Sequence, residues 1–172
     1  MNDKVEILVR HAIDGDIDFI TSSWLNSFRD GYFNSTVSNR VYFNQHHKIL
    51  ERLLPEATVL VACNSEKPQQ IFGWMCFQVV DRVMIFHYVY VKNLMRTQGI
   101  AQRLFDYVVN NDSLDVAKNV VMTTHQTQKS KSFIKGEKGG RSYEDRHPDR
   151  PIQWMYNPYA LFYQLPEGWE QE

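Results

Sequence analysis

Apolar residues fall along the chain in blocks of two periods, and the blocks predict its elements. Val5 to Arg10 alternates as a short strand. Asp14 or Asp16 can cap the helix that follows, whose apolar positions Ile17, Ile20, Trp24, Leu25 and Phe28 share one face. Phe28 to Asn39 carries Gly31, Asn34, Ser35 and Ser38 and reads as a loop. A second helix is expected from about Val41 to Leu54, with Phe43, His47, Leu50 and Leu54 on one side, and Pro55 ends it. Thr58 to Cys63 is a strand, Asn64 to Gln70 a turn region with Pro68, and Ile71 to Val80 the next strand. Asp81 and Arg82 then make a tight connection.

The stretch from Val83 to Val109 organises the rest. Its first half is β-branched and aromatic on both alternating faces, as in a strand buried on both sides. Its second half places Ile100, Leu104, Phe105 and Val108 on a helical stripe. Between them lies Arg96-Thr97-Gln98-Gly99-Ile100-Ala101. A strand that enters a helix through a short glycine-containing loop leaves backbone N–H groups unpaired at the helix start. Those groups and the helix dipole favour an anion, typically a phosphate.

Asn110 to Lys118 reads as a polar linker and Asn119 to Thr124 as another apolar strand. Gln126 to Arg150 is polar, glycine-bearing and richer in Lys and Arg than in Asp and Glu. A loop of that length is usually functional or mobile. Order returns at Pro151, and Asn157-Pro158 opens a short helix over Tyr159 to Gln164. The expected fold class is α/β (α+β): one domain over residues 1–172, with a mixed, mostly antiparallel sheet flanked by helices and an insertion at about 126–150.

Composition narrows the setting. The chain has 172 residues, 43% hydrophobic and 13% aromatic, which suits one globular domain with a full core. A net charge of −1 gives no global pull toward nucleic acid or membrane. Cys63 and Cys76 both lie in predicted strands, where a free Cys acts as a small buried hydrophobe, as expected in a reducing cytoplasm. The N-terminus lacks the apolar run of a signal peptide, and no segment is long enough to cross a bilayer. His46, His47, His125 and His147 do not form metal-ligand spacing with the cysteines, so no metal is expected.

The element order, with that loop after the buried strand, resembles the GNAT superfamily of acyl-CoA-dependent N-acyltransferases. The family's signature Arg/Gln-x-x-Gly-x-Gly/Ala is matched by Arg96 to Ala101, and its later Asn-x-x-Ala, Tyr and Gly-Phe positions by Asn157, Ala160, Tyr163, Gly168 and Trp169. The Tyr stands one position earlier than usual. The resemblance covers about Val5 to Thr124 and Trp154 to Trp169. The long polar insertion and the closing NPYALF are also similar to compact GNAT-like proteins encoded by bacteriophages. Where the family usually adds one or two more strands, only GWEQE follows here. That departure implies a shortened or rebuilt sheet edge, which invites pairing with a second copy.

The resemblance implies acetyl-CoA as co-substrate and a small-molecule or peptide amine as acceptor, in direct transfer without a covalent enzyme intermediate. The loop's backbone N–H groups, over Thr97, Gln98, Gly99, Ile100 and Ala101, would grip the coenzyme A pyrophosphate, and Arg96 would border it. Those of Val89, Tyr90 and Val91 would pair with the pantetheine arm and acyl carbonyl, and Asn157 joins the cofactor-binding set. An amine is mostly protonated near neutral pH and must lose a proton before it attacks. His87, on the central strand, is the candidate base, beside the alternative of a hydrogen-bonded core histidine. Tyr163, then Tyr159, are candidates to protonate the leaving thiolate, beside the alternative of amphipathic packing.

Two rivals come from other classes. One is a GNAT-shaped interaction or virion-associated protein without turnover. The other is a nucleic-acid-binding module using Lys129, Lys131, Lys135, Lys138 and Arg141, though Glu137, Glu144 and Asp145 dilute that charge and nucleic acid is not the expected partner.

Overall fold

The computed structural model describes residues 5–31, 34–80, 83–110, 120–127, 134, 142–146, 148–149 and 152–162. The elements are β1 (Ile7–His11), a 3-10 turn (Asp14–Asp16), α1 (Ile17–Arg29), α2 (Asn39–Leu53), β2 (Thr58–Asn64), β3 (Ile71–Val80) and β4 (Val83–Val91). A 3-10 turn (Asn93–Met95), α3 (Ile100–Asn110), β5 (Val120–Thr123), α4 (Tyr143–Arg146), β6 (Gln153–Tyr156) and a closing 3-10 turn (Pro158–Phe162) complete the chain. The strands form one mixed sheet in the order β1-β2-β3-β4-β5-β6. β1 and β2 run antiparallel, with Val9 opposite Ala62, whereas β4 with β5 and β5 with β6 run parallel.

The chain divides into two compact units. One comprises residues 1–76 and 88–112, the other residues 77–87 and 113–172. In the first, β2 and the start of β3 are buried on both faces. Successive β3 residues face opposite helices. Trp74 meets Trp24 of α1, with ring centroids 5.3 Å apart, while a side chain at Gly73 would meet Ile100 of α3. Ile20 and Trp24 of α1 and Ile100, Leu104, Phe105 and Val108 of α3 are buried, as their spacing predicts. Each such side chain contributes roughly 1.5–3 kcal/mol by leaving water.

Several local expectations change. The buried face of α2 is Tyr42, His46, Leu50 and Leu53: Leu50 is as expected, and the other three each stand one position before Phe43, His47 and Leu54. Ser38 caps the helix through its hydroxyl, which starts it two residues earlier than predicted. His47 is exposed and lies 3.4 Å from Glu51. Asp16 begins α1 but its carboxylate does not cap it. It turns back to accept from the Ile13 N–H at 2.9 Å and from the Arg10 guanidinium at 2.6 and 3.2 Å. Arg10 also donates to the Pro68 carbonyl at 3.0 Å, so one guanidinium ties β1 to two turns. The Asp81-Arg82 connection and the Asn111–Asn119 segment lie outside the described residues.

In the second unit β6 was not foreseen, nor was α4 inside the polar segment. Ser142 and Asp145 cap α4 reciprocally: Ser142 Oγ accepts from the Asp145 N–H at 3.1 Å, and Asp145 Oδ2 accepts from the Ser142 N–H at 3.0 Å. The turn buries Tyr143, whose ring meets that of Trp154 on β6 edge-on at 5.9 Å. Cys63 and Cys76 are buried and unpaired with each other, and burial pushes the Cys76 thiol up.

Candidate active site

β4 ends at Val91 and α3 begins at Ile100, and the turn between them is built from main-chain bonds. Met95 N–H donates to the Lys92 carbonyl at 2.9 Å and Gln98 N–H to the Met95 carbonyl at 3.1 Å. Gly99 then turns the chain into the helix at φ 69°, a left-handed value that an L side chain resists. The first helical bond is Arg103 N–H to the Gly99 carbonyl, 3.0 Å. The amides of Gly99, Ile100, Ala101 and Gln102 precede it, and among the described residues none donates to a protein acceptor. A Cβ at Gly99 would meet no heavy atom within 4 Å, so no side chain covers the turn there. Ile100 points into the core, while Arg96, Thr97, Gln98 and Gly99 are exposed. Arg96 folds back, its Nε–H donating to the Val91 carbonyl at 3.3 Å.

Gly73 brings β4 and α3 together. A Cβ there would stand 2.6 Å from the Tyr90 carbonyl oxygen and 2.9 Å from Ile100 Cγ2. The end of β4 is also irregular. The Phe86 carbonyl turns toward β5, accepting from Thr124 N–H, whereas Lys92, an even number of residues on, turns its N–H to Phe72 beside β4 on β3. Strict alternation would aim both the same way, so the strand breaks its pleat between them. Val89, Tyr90 and Val91 lie in that irregular part and are half-buried.

Beside them an aromatic cluster fills the space under α1. Tyr88 stacks on Trp24 at 5.0 Å, and its hydroxyl shares a 3.0 Å hydrogen bond with Ser27 Oγ. Burial holds the Tyr88 phenol up, so it stays protonated. Trp74 Nε1–H donates to Ser23 Oγ at 2.9 Å. Tyr90 meets Phe19 edge-on, and the Lys92 ammonium lies 4.8 Å from the Phe19 ring centre. Arg29 fixes the turn after α1 by donating to Asn39 Oδ1 and to the Asn34 and Val37 carbonyls.

In the other unit, β4 and β5 pair from Met84/Val121 to Phe86/Thr123, and Thr124 N–H closes the ladder on the Phe86 carbonyl at 3.1 Å. His87 is fully buried, and burial lowers its pKa to about 4. Both ring nitrogens are engaged, Nε2 with Gln78 Oε1 at 2.9 Å and Nδ1 with Thr124 Oγ1 at 3.0 Å. This is the geometry of the core histidine weighed above; proton uptake directly from a substrate would require one of those bonds to break. Thr124 Oγ1 lies 2.9 Å from His125 Nδ1 as well. Asn157 receives the chain from β6: its N–H donates to the Thr123 carbonyl and its Oδ1 accepts from the Tyr159 N–H at 3.0 Å. The Tyr159 ring is 73% exposed. Tyr163, and Lys129, Lys131, Lys135, Lys138 and Arg141, lie outside the described residues.

Gln78, Thr124 and His125 escaped the sequence reading because no short-range spacing links them; only strand pairing brings them to His87. Gly73 had a weaker signal, a glycine inside an apolar strand, which marks close approach of another backbone. Among the described residues no group of three His, Cys, Asp or Glu side chains could hold a metal ion, and no helix is long and apolar enough to cross a membrane.

Comparison with protein-family models gives no match, and neither does comparison with curated proteins. Solved structures do match in shape. A candidate acetyl transferase from Pyrococcus furiosus superposes with a TM-score of 0.57 at 20% identity, over 80% of this chain and 95% of that one. A GNAT family acetyltransferase from Brucella melitensis in complex with acetyl-CoA gives 0.53 at 17% identity, over 74% and 81%. A candidate acetyltransferase from Clostridium difficile 630 gives 0.52 at 17% identity, over 79% and 90%. The chain therefore has the mixed α/β fold of the GNAT acetyltransferases.

Proposed function

We propose that this protein transfers an acetyl group from acetyl-CoA to an amine. The observation that carries the reading is the run of undonated amides from Gly99 to Gln102, at the end of β4 and uncovered at Gly99. Such a run offers a diphosphate several N–H donors and the positive end of the α3 dipole at no cost in lost protein bonds. Arg96 lies at the rim of the turn to add a charge-assisted bond. Acetyl-CoA would supply a thioester, whose carbonyl carbon is the electrophile. Main-chain groups of Val89, Tyr90 and Val91, where β4 leaves its regular pleat, would orient the pantetheine arm and stabilise the developing oxyanion. Asn157 would border the arm while its Oδ1 holds the turn that carries Tyr159. Tyr159 and Tyr163 are the groups offered to protonate the departing thiolate. His87 is the candidate base for the acceptor ammonium, and proton uptake there would require its bond to Gln78 or to Thr124 to break. The acceptor is a small-molecule or peptide amine, and two buried thiols suit a reducing compartment such as the cytoplasm.

Calorimetry with acetyl-CoA tests the reading. Binding should raise the melting temperature, with a stabilisation of about 2.7 kcal/mol when ligand exceeds Kd a hundredfold. No heat and no thermal shift at millimolar acetyl-CoA would overturn it.

A further inference from the structure

β1 stands at one end of the sheet, and the direction of its main-chain groups can be read residue by residue. The Ser65 N–H donates to the Glu6 carbonyl at 3.0 Å and the Ala12 N–H to the Val59 carbonyl at 2.8 Å, so the even-numbered residues of the strand turn their main-chain groups toward β2. Alternation turns those of Ile7, Val9 and His11 the other way, off the edge of the sheet. Among the described residues the outward groups of Ile7 and Val9 meet no partner, and the His11 carbonyl accepts from Arg10 Nη1.

Sheet edges are ordinarily guarded by a charge, a proline or a bulge. This one carries little of that. Val5 to His11 reads VEILVRH, without proline, glycine or lysine. Its pairing with β2 runs one to one from Ile7/Asn64 to His11/Leu60, so no bulge bends it away. Arg10 is drawn aside to Asp16 and the Pro68 carbonyl, and the Glu6 carboxylate accepts from Ser65 Oγ at 3.2 Å. Val5 and Leu8 are left 47% and 41% exposed.

The edge is complementary to itself. Glu6, Leu8 and Arg10 share one face of the strand. A second, antiparallel β1 can bond to the open edge only where outward residues face outward residues. With Leu8 on the two-fold axis, Ile7 of each copy exchanges both main-chain bonds with Val9 of the other. Glu6 then lies opposite the other copy's Arg10, and the two Leu8 side chains meet at the kind of position where paired strands approach most closely. Moving the register by two residues puts Val9 on the axis, sets Leu8 against Arg10 and leaves Glu6 opposite Ala12. Charge therefore selects the register centred on Leu8.

We propose that two copies of this chain join β1 to β1 across a two-fold axis at Leu8, as one continuous sheet. The inference is independent of the acetyl-transfer reading, and β2 and β3 separate this edge from β4. A single pair of strands is a small isologous interface, so the association should be reversible, with Kd of about 10–100 µM.

Sedimentation velocity on the full chain, from about 1 to 200 µM, should show a monomer passing into a dimer across that Kd. Val9→Pro removes an outward N–H and no bond to β2. Leu8→Lys sets two ammonium groups face to face at an exposed position. Each should raise Kd at least tenfold and leave the acetyl-CoA thermal shift as in the wild type, and Leu8→Lys keeps the test sound should Val9→Pro fail to fold. Leu8→Cys should form a disulfide-linked dimer in air, because facing residues at such a position have Cα atoms about 4.5 Å apart. Val9→Cys should not, since Val9 of one copy faces Ile7 of the other. A monomer at every concentration would overturn the proposal and leave the edge to a strand of some other protein or to none. A dimer that survives both Val9→Pro and Leu8→Lys, or one cross-linked by Val9→Cys and not by Leu8→Cys, would overturn it as well.

Discussion

Gly99 is held by conformation and not by crowding: its φ is 69°, and no atom lies within 4 Å of the Cβ it lacks. Gly99→Ala should therefore cost roughly 1–2 kcal/mol in a urea titration, from left-handed strain alone. It should leave acetyl-CoA affinity nearly intact, since the neighbouring amides keep their direction. Gly99→Phe should lower that affinity at least tenfold by laying a ring over the amides, as calorimetry would read. Asp16 makes a different kind of residue-level prediction. Burial alone would raise its pKa, but the Arg10 guanidinium and the Ile13 N–H outweigh it and hold the carboxyl below the usual carboxylate range. The folded state thus binds its proton less readily than the unfolded chain, so the stability it supplies is complete above about pH 4 and is lost as pH falls through the lower, folded pKa. Asp16→Asn should abolish that acid dependence and cost roughly 1.5–3 kcal/mol at pH 7.

Among the elements, β3, β4 and α3 were legible nearly to the residue because each carries a long, unmixed period: Ile71–Val80 and Val83–Val91 are apolar on both faces, and Ile100, Leu104, Phe105 and Val108 recur as a helix requires. α2 was legible as a helix but not in rotation. Its sequence offers two overlapping stripes, one through Phe43 and His47 and one through Tyr42 and His46. The second is buried because Tyr42 stacks on His46 and its hydroxyl donates to the Leu25 carbonyl of α1. Periodicity cannot see such a partner. β6 was missed for a related reason: it is four residues long and carries little alternation, so strand pairing to β5 defines it. Gly73 joins two of the legible elements. Gly73→Ala should cost roughly 1–3 kcal/mol, since neither the Tyr90 carbonyl nor Ile100 can yield without moving β4 or α3. It should also weaken acetyl-CoA binding more than Gly99→Ala does, although Gly73 itself lies in the core.

For the molecule as a whole, two buried histidines set an acid limit. His46 and His87 both have their pKa lowered to about 4, through desolvation. Between about pH 6.5 and pH 4 the unfolded chain takes up protons at these sites and the folded protein does not. Stability should fall across that window as pH drops, by up to ~3 kcal/mol for each histidine. Urea titrations at pH 7.5 and pH 5 would show it, and His46→Phe should reduce the slope. Of the candidate site, the turn at Gly99 was visible in the sequence because a loop motif is local. The row through His87 was not, because Gln78, Thr124 and His125 are brought to it by the sheet.

The two buried cysteines have a practical consequence. A chromogenic disulfide that reports thiols should find almost nothing to react with in the native protein. Coenzyme A released during turnover would then be counted against a quiet background, with no cysteine removed by mutation. Under mild urea the same dye becomes a stopwatch for breathing of the core, because Cys63 and Cys76 answer only when β2 or β3 opens.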